Sequence, residues 1–374
     1  MAKDLQERNH LVRWGILIGL SFFSLATIFI LIIDFEILRN PDITQDHHFR
    51  IALFILVIYF TIYATSGFIR YLARYLNNRY LTRFTALPKL SSYQESFTRS
   101  YFPNKPYEHI VILLHGFTAS PQEFQFLIKH LEANNIPYIS PKIIGFGISS
   151  THLLSLAHRH DWYRVAIEKY DLASSLANKV SIVGHSMGGI LATFVAMHRP
   201  VHQLILSGPG LHSAPSDLKY KRLLSLPIIS SLYIRIVPYL PKPIRKGRQT
   251  TSDTLDQTHT GTMFQYLAIP INCVKEVFSA QDDVDITKTQ SDQLTIVYGK
   301  HDLTVNMSAL FQQLDHHNTP YNKMSFNNSA HNVLEDYDKE YCCQYIINLL
   351  KNPQKTNPIS KLKKQSTTQV QADA

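Results

Sequence analysis

An apolar stretch that runs into a serine flanked by glycines constrains this chain more than any other feature. Val180 to Val183 is mostly β-branched, Gly184-His185-Ser186-Met187-Gly188-Gly189 follows, and Ile190 to Met197 reads as a helix. That order is a strand, a very tight turn and a helix. Glycines on both sides of the turn let strand and helix approach without a Cβ clash. The hydroxyl of Ser186 is then held above the strand end, at the positive end of the following helix. Alone, Gly-x-Ser-x-Gly is only moderately specific, because glycine and serine are common in turns. Its meaning rests on what surrounds it.

Short apolar strands and helices alternate on either side. Strands are expected over residues 110–114, 138–144, 202–206, 294–298 and 321–326, and helices over 124–131, 161–177 and 336–350. This alternation implies a mainly parallel sheet covered by helices on both faces. The strands end in turns such as His115-Gly116-Phe117, Gly145-Phe146-Gly147, Gly299-Lys300-His301-Asp302 and Asn327-Asn328-Ser329-Ala330-His331. Gly145 and Gly147 lack the third glycine of a dinucleotide fingerprint and read as a turn at a strand end.

The N-terminal part is of another kind. Residues 14–33 and 51–69 contain no charge, and each is close to the ~20 residues that cross a bilayer core. Asp34 and Glu36 end the first run, and Arg70, Arg74, Arg79 and Arg83 follow the second. No small-x-small site follows Ile33, so a transmembrane hairpin is expected rather than a cleaved leader. Lys3, Arg8 and Arg13 precede the first run, while the connector is acidic overall. That asymmetry puts both outer ends, and the domain after them, on the cytoplasmic side. Arg70 to Phe84 has helical spacing; it reads either as a basic amphipathic helix on the membrane surface or as the last turns of the span plus a linker. The expected division is an anchor over 1–89, a domain over 90–350 and a disordered basic tail over 351–374.

Between residues 211 and 293 the strand–helix rhythm breaks. Residues 218–244 are rich in Leu, Ile and Tyr, but Pro227, Pro238, Pro241 and Pro243 exclude a third straight span. An inserted lid over the strand ends is expected. Apolar residues there interleave with Lys219, Lys221, Arg222, Arg235, Lys242, Arg245, Lys246 and Arg248. Such a surface suits acyl chains and anionic head groups.

The formal charge of +9 is gathered near the N-terminus, after residue 215 and in the tail. Beside two long apolar runs, that excess favours lipid over nucleic acid as a partner. Cys273, Cys342 and Cys343 are too few for a disulfide framework and read as buried apolar residues in a reducing compartment. No Cys-x-x-Cys or paired Cys/His spacing suggests a metal, and no cofactor is expected. Oligomeric state is left open.

A serine is a weak nucleophile unless a base takes its proton. Asp302, just past a strand, and His331, just past the last strand, follow Ser186 in the order Ser, Asp, His. His331 is one of 18 histidines and is singled out by its place in the topology. Asp315 and Glu335 stand in reserve as the acid. His115 and His185 lie beside the site and read as turn-shaping.

Leu114-His115-Gly116-Phe117, Gly184-His185-Ser186-Met187-Gly188-Gly189, Gly299-Lys300-His301-Asp302 and Ser329-Ala330-His331-Asn332-Val333 together resemble the monoacylglycerol lipase/lysophospholipase and carboxylesterase group of α/β-hydrolases. The resemblance covers about residues 105–350. It implies the α/β-hydrolase fold with an inserted lid, here preceded by two transmembrane helices. It implies a triad of Ser186, His331 and Asp302, and an oxyanion hole built from the backbone N–H groups of Phe117 and Met187. The implied activity is that of a membrane-anchored serine hydrolase on a lipid or small ester, such as a monoacylglycerol or lysophospholipid. Acyl transfer and amide cleavage also occur on related folds. An inactive scaffold is disfavoured because every expected triad position is filled.

Overall fold

The computed structural model describes residues 2–38, 47–85, 98–103, 105–147, 151–248, 251–258 and 264–352. Two long helices come first, α1 (Ala2–Leu38) and α2 (His47–Thr85). They are followed by β1 (Arg99–Tyr101), β2 (Tyr107–Leu114), α3 (Gln125–Ala133), β3 (Tyr138–Ser140), α4 (Thr151–Leu156), α5 (Arg159–Leu176), β4 (Ala177–His185), α6 (Met187–His198) and β5 (Val201–Ser207). An excursion then holds α7 (Leu218–Ser225), α8 (Pro227–Ile236), β6 (Tyr239–Pro241), β7 (Ala268–Pro270) and α9 (Ile271–Asp282). The chain closes with β8 (Ser291–Gly299), α10 (Met307–His316), β9 (Asn322–Phe326) and α11 (Lys339–Lys351).

Seven strands form the main sheet in the order β1-β3-β2-β4-β5-β8-β9. All neighbours pair in parallel except the edge strand β1, which runs antiparallel to β3. The expected strands are present, with β3 shorter than 138–144: Pro141 follows Ser140 and has no N–H to continue the ladder. The uninterrupted apolar run of β2 follows from burial on both faces. Ile110, Ile112 and Leu114 join a core with α5 and α6, while Val111 and Leu113 join a second core with α3 and α11. Cys342 and Cys343 lie in the second core, Cys273 in the first, and all three are free thiols.

The excursion leaves after β5 and returns at β8, its neighbour in the sheet. Its last helix belongs to the domain's helical layer, because Cys273 and Ala280 of α9 enter the core beside α5 and α6. The projecting part is therefore α7 to β7. β6 and β7 pair antiparallel in a small sheet of their own.

α1 and α2 pack as an antiparallel pair. Gly15 lies against Leu72, and Gly19 against Thr65 and Ile69. Both are long and apolar enough to cross a membrane, over Arg13–Ile32 and Phe54–Arg79. α2 runs unbroken through the arginine-rich stretch, so that stretch continues the second apolar segment and is not a separate surface helix. Its far part, with Ile16 of α1, is a wall of the lid: Ile16, Ile69, Ala73 and Leu76 form a third core with Leu224, Val237, Tyr239, Ala268 and Ile271. The expected disordered tail, past residue 352, lies outside the described residues.

The basic face expected on the lid is smaller than the sequence suggests. Arg245 turns inward to Asp217 at 3.0 Å and Arg248 to Asp253 at 3.0 Å, while Lys221 pairs at the surface with Asp282 at 2.6 Å. Lys242 is half-buried against the site described below. Lys219, Arg222, Arg235 and Lys246 are left exposed. Where such a pair is partly closed to water, the attraction between its charges is less screened.

Candidate active site

β4 delivers Ser186 into a turn that only glycine neighbours permit. A Cβ on Gly184 would stand 2.4 Å from the carbonyl oxygen of Gly188, and one on Gly188 would stand 1.8 Å from that of Leu114. Ser186 has φ 53° and ψ −117°, a conformation that costs a non-glycine residue energy and survives only where its surroundings enforce it. Three backbone bonds do so here: Ser186 N–H donates to Ser207 O at 3.0 Å, and Ser186 O accepts from Gly210 N–H at 2.8 Å and from Gly189 N–H at 2.9 Å. Met187 opens α6, so its N–H belongs to the first turn, which has no partner within the helix. Phe117 sits in the turn after β2, half-buried, and lines the same cavity as Met187.

His331 lies in the loop after β9, and Asp302 in the loop after β8. The structure brings both to Ser186. His331 Nε2 is 2.9 Å from Ser186 Oγ, and His331 Nδ1 is 2.8 Å from Asp302 Oδ2. Of the reserve acids, Asp315 instead accepts from the Tyr321 hydroxyl at 3.0 Å. Glu335 accepts from Asn332 Nδ2 at 2.6 Å.

Burial disfavours the charge on His331, but the charge and hydrogen bond of Asp302, joined by Asp253 and Glu123, outweigh it and raise its pKa above 6.5. Burial likewise pushes Asp302 upward. His331 and the N–H groups of Thr304 and Val305 overcome that and hold the carboxyl below its ordinary range. Asp302 is therefore the acceptor, Nδ1 carries the proton, and Nε2 is free to accept from the serine hydroxyl.

The neighbouring histidines are committed to the backbone. Burial holds His185 and His115 down to about 4, so both are neutral. His185 Nδ1 donates to Ser207 O at 2.9 Å. His115 donates to Gly116 O at 3.0 Å and accepts from Ile143 N–H at 3.1 Å, tying the turn after β2 to the loop after β3.

Above Ser186 lies a cavity of about 460 Å³. Its walls are mostly apolar, with Ile190 from α6, Leu224 and Tyr233 from the lid, and Val277 and Phe278 from α9. A volume of this order suits a small ligand or the proximal part of a larger apolar one. Lewis-basic serine, imidazole and carboxylate in a row, under an apolar roof, can attack a carbonyl carbon and manage the proton.

Residues 111–340 match the model of the alpha/beta hydrolase family. The chain belongs to that family. Over 125 residues the chain is 23% identical to a carboxylesterase of Bacillus subtilis (strain 168), covering 33% of the chain and 50% of that relative. Over 92 residues it is 29% identical to the thermostable monoacylglycerol lipase of Bacillus sp. (strain H-257), covering 24% of the chain and 36% of the relative. The matches thus span half or less of each relative's length. Among solved structures, the monoacylglycerol lipase of Paleococcus ferrophilus superposes with a TM-score of 0.53 at 16% identity, over 68% of this chain and 97% of that one. A soluble variant of the Saccharomyces cerevisiae monoglyceride lipase gives 0.51 at 15%, over 67% and 88%. These likenesses establish the fold.

Beside the serine, the chain carries a polar cluster that the sequence did not announce. Glu123 accepts from Gly116 N–H at 2.7 Å, so it holds the turn that leads to Phe117. Asn332, next to His331, donates to Glu123 at 3.3 Å and to Glu335 at 2.6 Å. Burial, then the charge of Glu123, raises Glu335 well above 4.5. Lys242 from the lid completes the cluster and is held down to about 8 by burial, with Glu123 opposing. One trace of Glu123 was visible: Ser120 and Glu123 stand at the spacing of a capping box. The fold sends the carboxylate to Gly116 instead.

Proposed function

We propose that this chain is a membrane-anchored serine hydrolase that cleaves acyl esters of lipids, such as monoacylglycerols, lysophospholipids or similar carboxylic esters. One observation carries the reading: the hydrogen-bonded row Ser186, His331, Asp302 opens on an apolar cavity. The partial matches to a carboxylesterase and a monoacylglycerol lipase support it.

In the proposed cycle Ser186 Oγ attacks the ester carbonyl while its proton passes to His331 Nε2. Asp302 fixes the imidazole tautomer and stabilises the imidazolium. The carbonyl oxygen becomes an oxyanion, met by the N–H groups of Phe117 and Met187; losing one such donor typically costs about 3 kcal/mol in the transition state. His331 returns the proton to the leaving alkoxide, and the carbon–oxygen bond breaks to leave an acyl group on Ser186. Water, deprotonated by His331, then releases the acid.

The anchor in this reading is residues 1–89, with spans near 14–33 and 51–69, a domain over 90–350 on the cytoplasmic side and a lid within 211–293. The support is the pair of long apolar helices and the arginines that follow the second. A lipid then reaches the cavity without crossing bulk water.

A serine-directed fluorophosphonate tests the chemistry. The wild-type chain should label and Ser186→Ala should not; absence of labelling on the wild type would mean a scaffold. Product analysis with added alcohol or amine acceptors separates hydrolysis from transfer. Protease protection of a C-terminal tag in sealed vesicles reads the orientation, and digestion from the non-cytoplasmic face alone would overturn it.

A further inference from the structure

The lid's return limb, residues 251–256, touches both loops that carry the partners of Ser186. Asp253 is its central residue and is 8% exposed. Its Oδ2 accepts from Leu303 N–H at 3.1 Å and from the Thr304 hydroxyl at 2.8 Å. Its Oδ1 accepts from Arg248 Nε at 3.0 Å, and the same guanidinium donates through Nη2 to His301 O at 3.1 Å. The residues on both sides of Asp302 are therefore gripped by one buried ion pair from the lid. The backbone carbonyl of Asp253 also accepts from Asn332 N–H at 3.3 Å, beside His331. Two and three residues on, Leu255 and Asp256 donate N–H bonds to Asp336 at 2.8 and 2.7 Å, and Asp336 also accepts from Ala330 N–H at 2.8 Å.

Asp302 has two oxygens and two duties. Oδ2 meets His331, while Oδ1 accepts from Thr304 N–H at 2.8 Å and Val305 N–H at 3.1 Å. The loop that Oδ1 organises is held from outside by Asp253 through Leu303 and Thr304. Without that hold the loop would keep the bonds of Oδ1 and its backbone bonds at His301 and Asn306, but Leu303 and Thr304 between them would be released, and a shift there would carry Oδ2 away from the imidazole. A misplacement of about 1 Å can lower a rate roughly 100-fold.

We propose that Asp253 is a positioning residue for the reaction: from the lid it holds the loop that presents Asp302 to His331, so the lid and the acid are set as one unit. The assignment rests on the reading of Ser186, His331 and Asp302 as the reacting groups. It makes the inserted segment part of the orienting machinery as well as a cover for the cavity.

The test compares full-length wild type, Asp253→Asn and Thr304→Val in detergent micelles, with a soluble p-nitrophenyl ester and a fluorophosphonate. Asp253→Asn should lower kcat by about 100-fold and Thr304→Val by about tenfold, with KM nearly unchanged and Ser186 labelling slowed in proportion. The acidic limb of kcat/KM in Asp253→Asn should also move to lower pH. Asp302, Glu123 and Asp253 are the carboxylates that raise His331, neutral His185 stands beside it, and the variant removes one of the three while leaving Arg248 in place. A purely structural loss would scale activity with the folded fraction and leave that limb where it was; this outcome overturns the assignment. So does a wild-type kcat in Asp253→Asn. If Asp253→Asn does not fold, Thr304→Val decides, and wild-type kcat in it overturns the proposal. Failure of the wild type to label removes the hydrolase reading and this assignment with it, whereas a labelled wild type with unaffected variants removes the assignment alone.

Discussion

The side-chain amide of Asn77 closes a two-way pairing with the backbone of Ala268, donating to its carbonyl at 3.0 Å and accepting from its N–H at 3.2 Å. Leu267 N–H reaches the same oxygen at 2.7 Å. Asn77 is fully buried on α2, and it completes the edge of β7 that β6 leaves open. The C-terminal part of α2, continuous with the second apolar segment, is thus bonded directly to the lid. Asn77→Ala strands buried backbone groups at a cost of about 1–3 kcal/mol each. Thermal unfolding of the full chain in detergent should show a lower midpoint, with early proteolysis within residues 239–270. An unchanged midpoint and cutting pattern would mean that α2 does not hold the lid.

The row at Ser186 makes a kinetic prediction. Ser186→Ala and His331→Ala should each lower kcat by about 10⁴-fold or more, and the double variant should lose little further, because such groups act as a unit. Full activity in Asp302→Asn would move the acid role to another carboxylate.

The same row predicts the pH profile. His331 must be neutral to accept the serine proton, and its pKa is raised. Activity should therefore fall on the acid side through a limb lying above 6.5, and Asp302→Asn should move that limb down. For stability the signs differ between partners. The contribution of His331 is present below 6.5 and is lost as pH rises through its raised folded value. That of Asp302 is present above 3.8 and is lost as pH falls through its depressed value. Rate profiles on a soluble ester and denaturation curves across pH check the two halves separately.

Glu335 should act in the opposite sense to Asp302. Its carboxyl is 4% exposed and its pKa is raised by burial and by Glu123. The folded chain then holds a proton that the unfolded chain releases above 4.5, so stability falls as pH rises through that window. Glu335→Gln keeps the shape and an oxygen for Asn332 and should flatten the fall. A variant with the same pH slope as wild type would show that Glu335 is not the group responsible.

The outer face of α8 predicts how the substrate arrives. Ile228 is 84% exposed, and Leu226, Ile229 and Leu232 are exposed beside it. Burying a large apolar side chain is worth about 2 kcal/mol, so each residue that enters a bilayer shifts partitioning by more than tenfold. Ile228→Ser with Leu232→Ser should lower turnover of an ester held in neutral phosphatidylcholine vesicles and leave a water-soluble ester unaffected. Equal losses on both would point to a damaged lid, and no loss on either would detach α8 from the membrane.

The sheet and the candidate site were legible in the sequence because their signals are local. Val111 and Leu113 alternate with Ile110, Ile112 and Leu114 in an unbroken apolar run, and such a run can only be a strand covered on both faces or a buried helix; its length decides. Ser186 lies between glycines whose absent Cβ atoms are a property of the residues themselves. Asp302 and His331 could be chosen among many acids and histidines because each follows a strand in an order that few chains share. Apart from the capping-box spacing of Glu123, the inward turn of Arg245 and Arg248, the cluster of Glu123, Asn332 and Glu335, and the grips of Asp253 and Asn77 had no such signature. A carboxylate, a guanidinium or an amide reads as a solvated surface group until a donor or acceptor from a distant segment closes on it. Only the tertiary structure supplies that partner, and burial then makes each pairing costly to break.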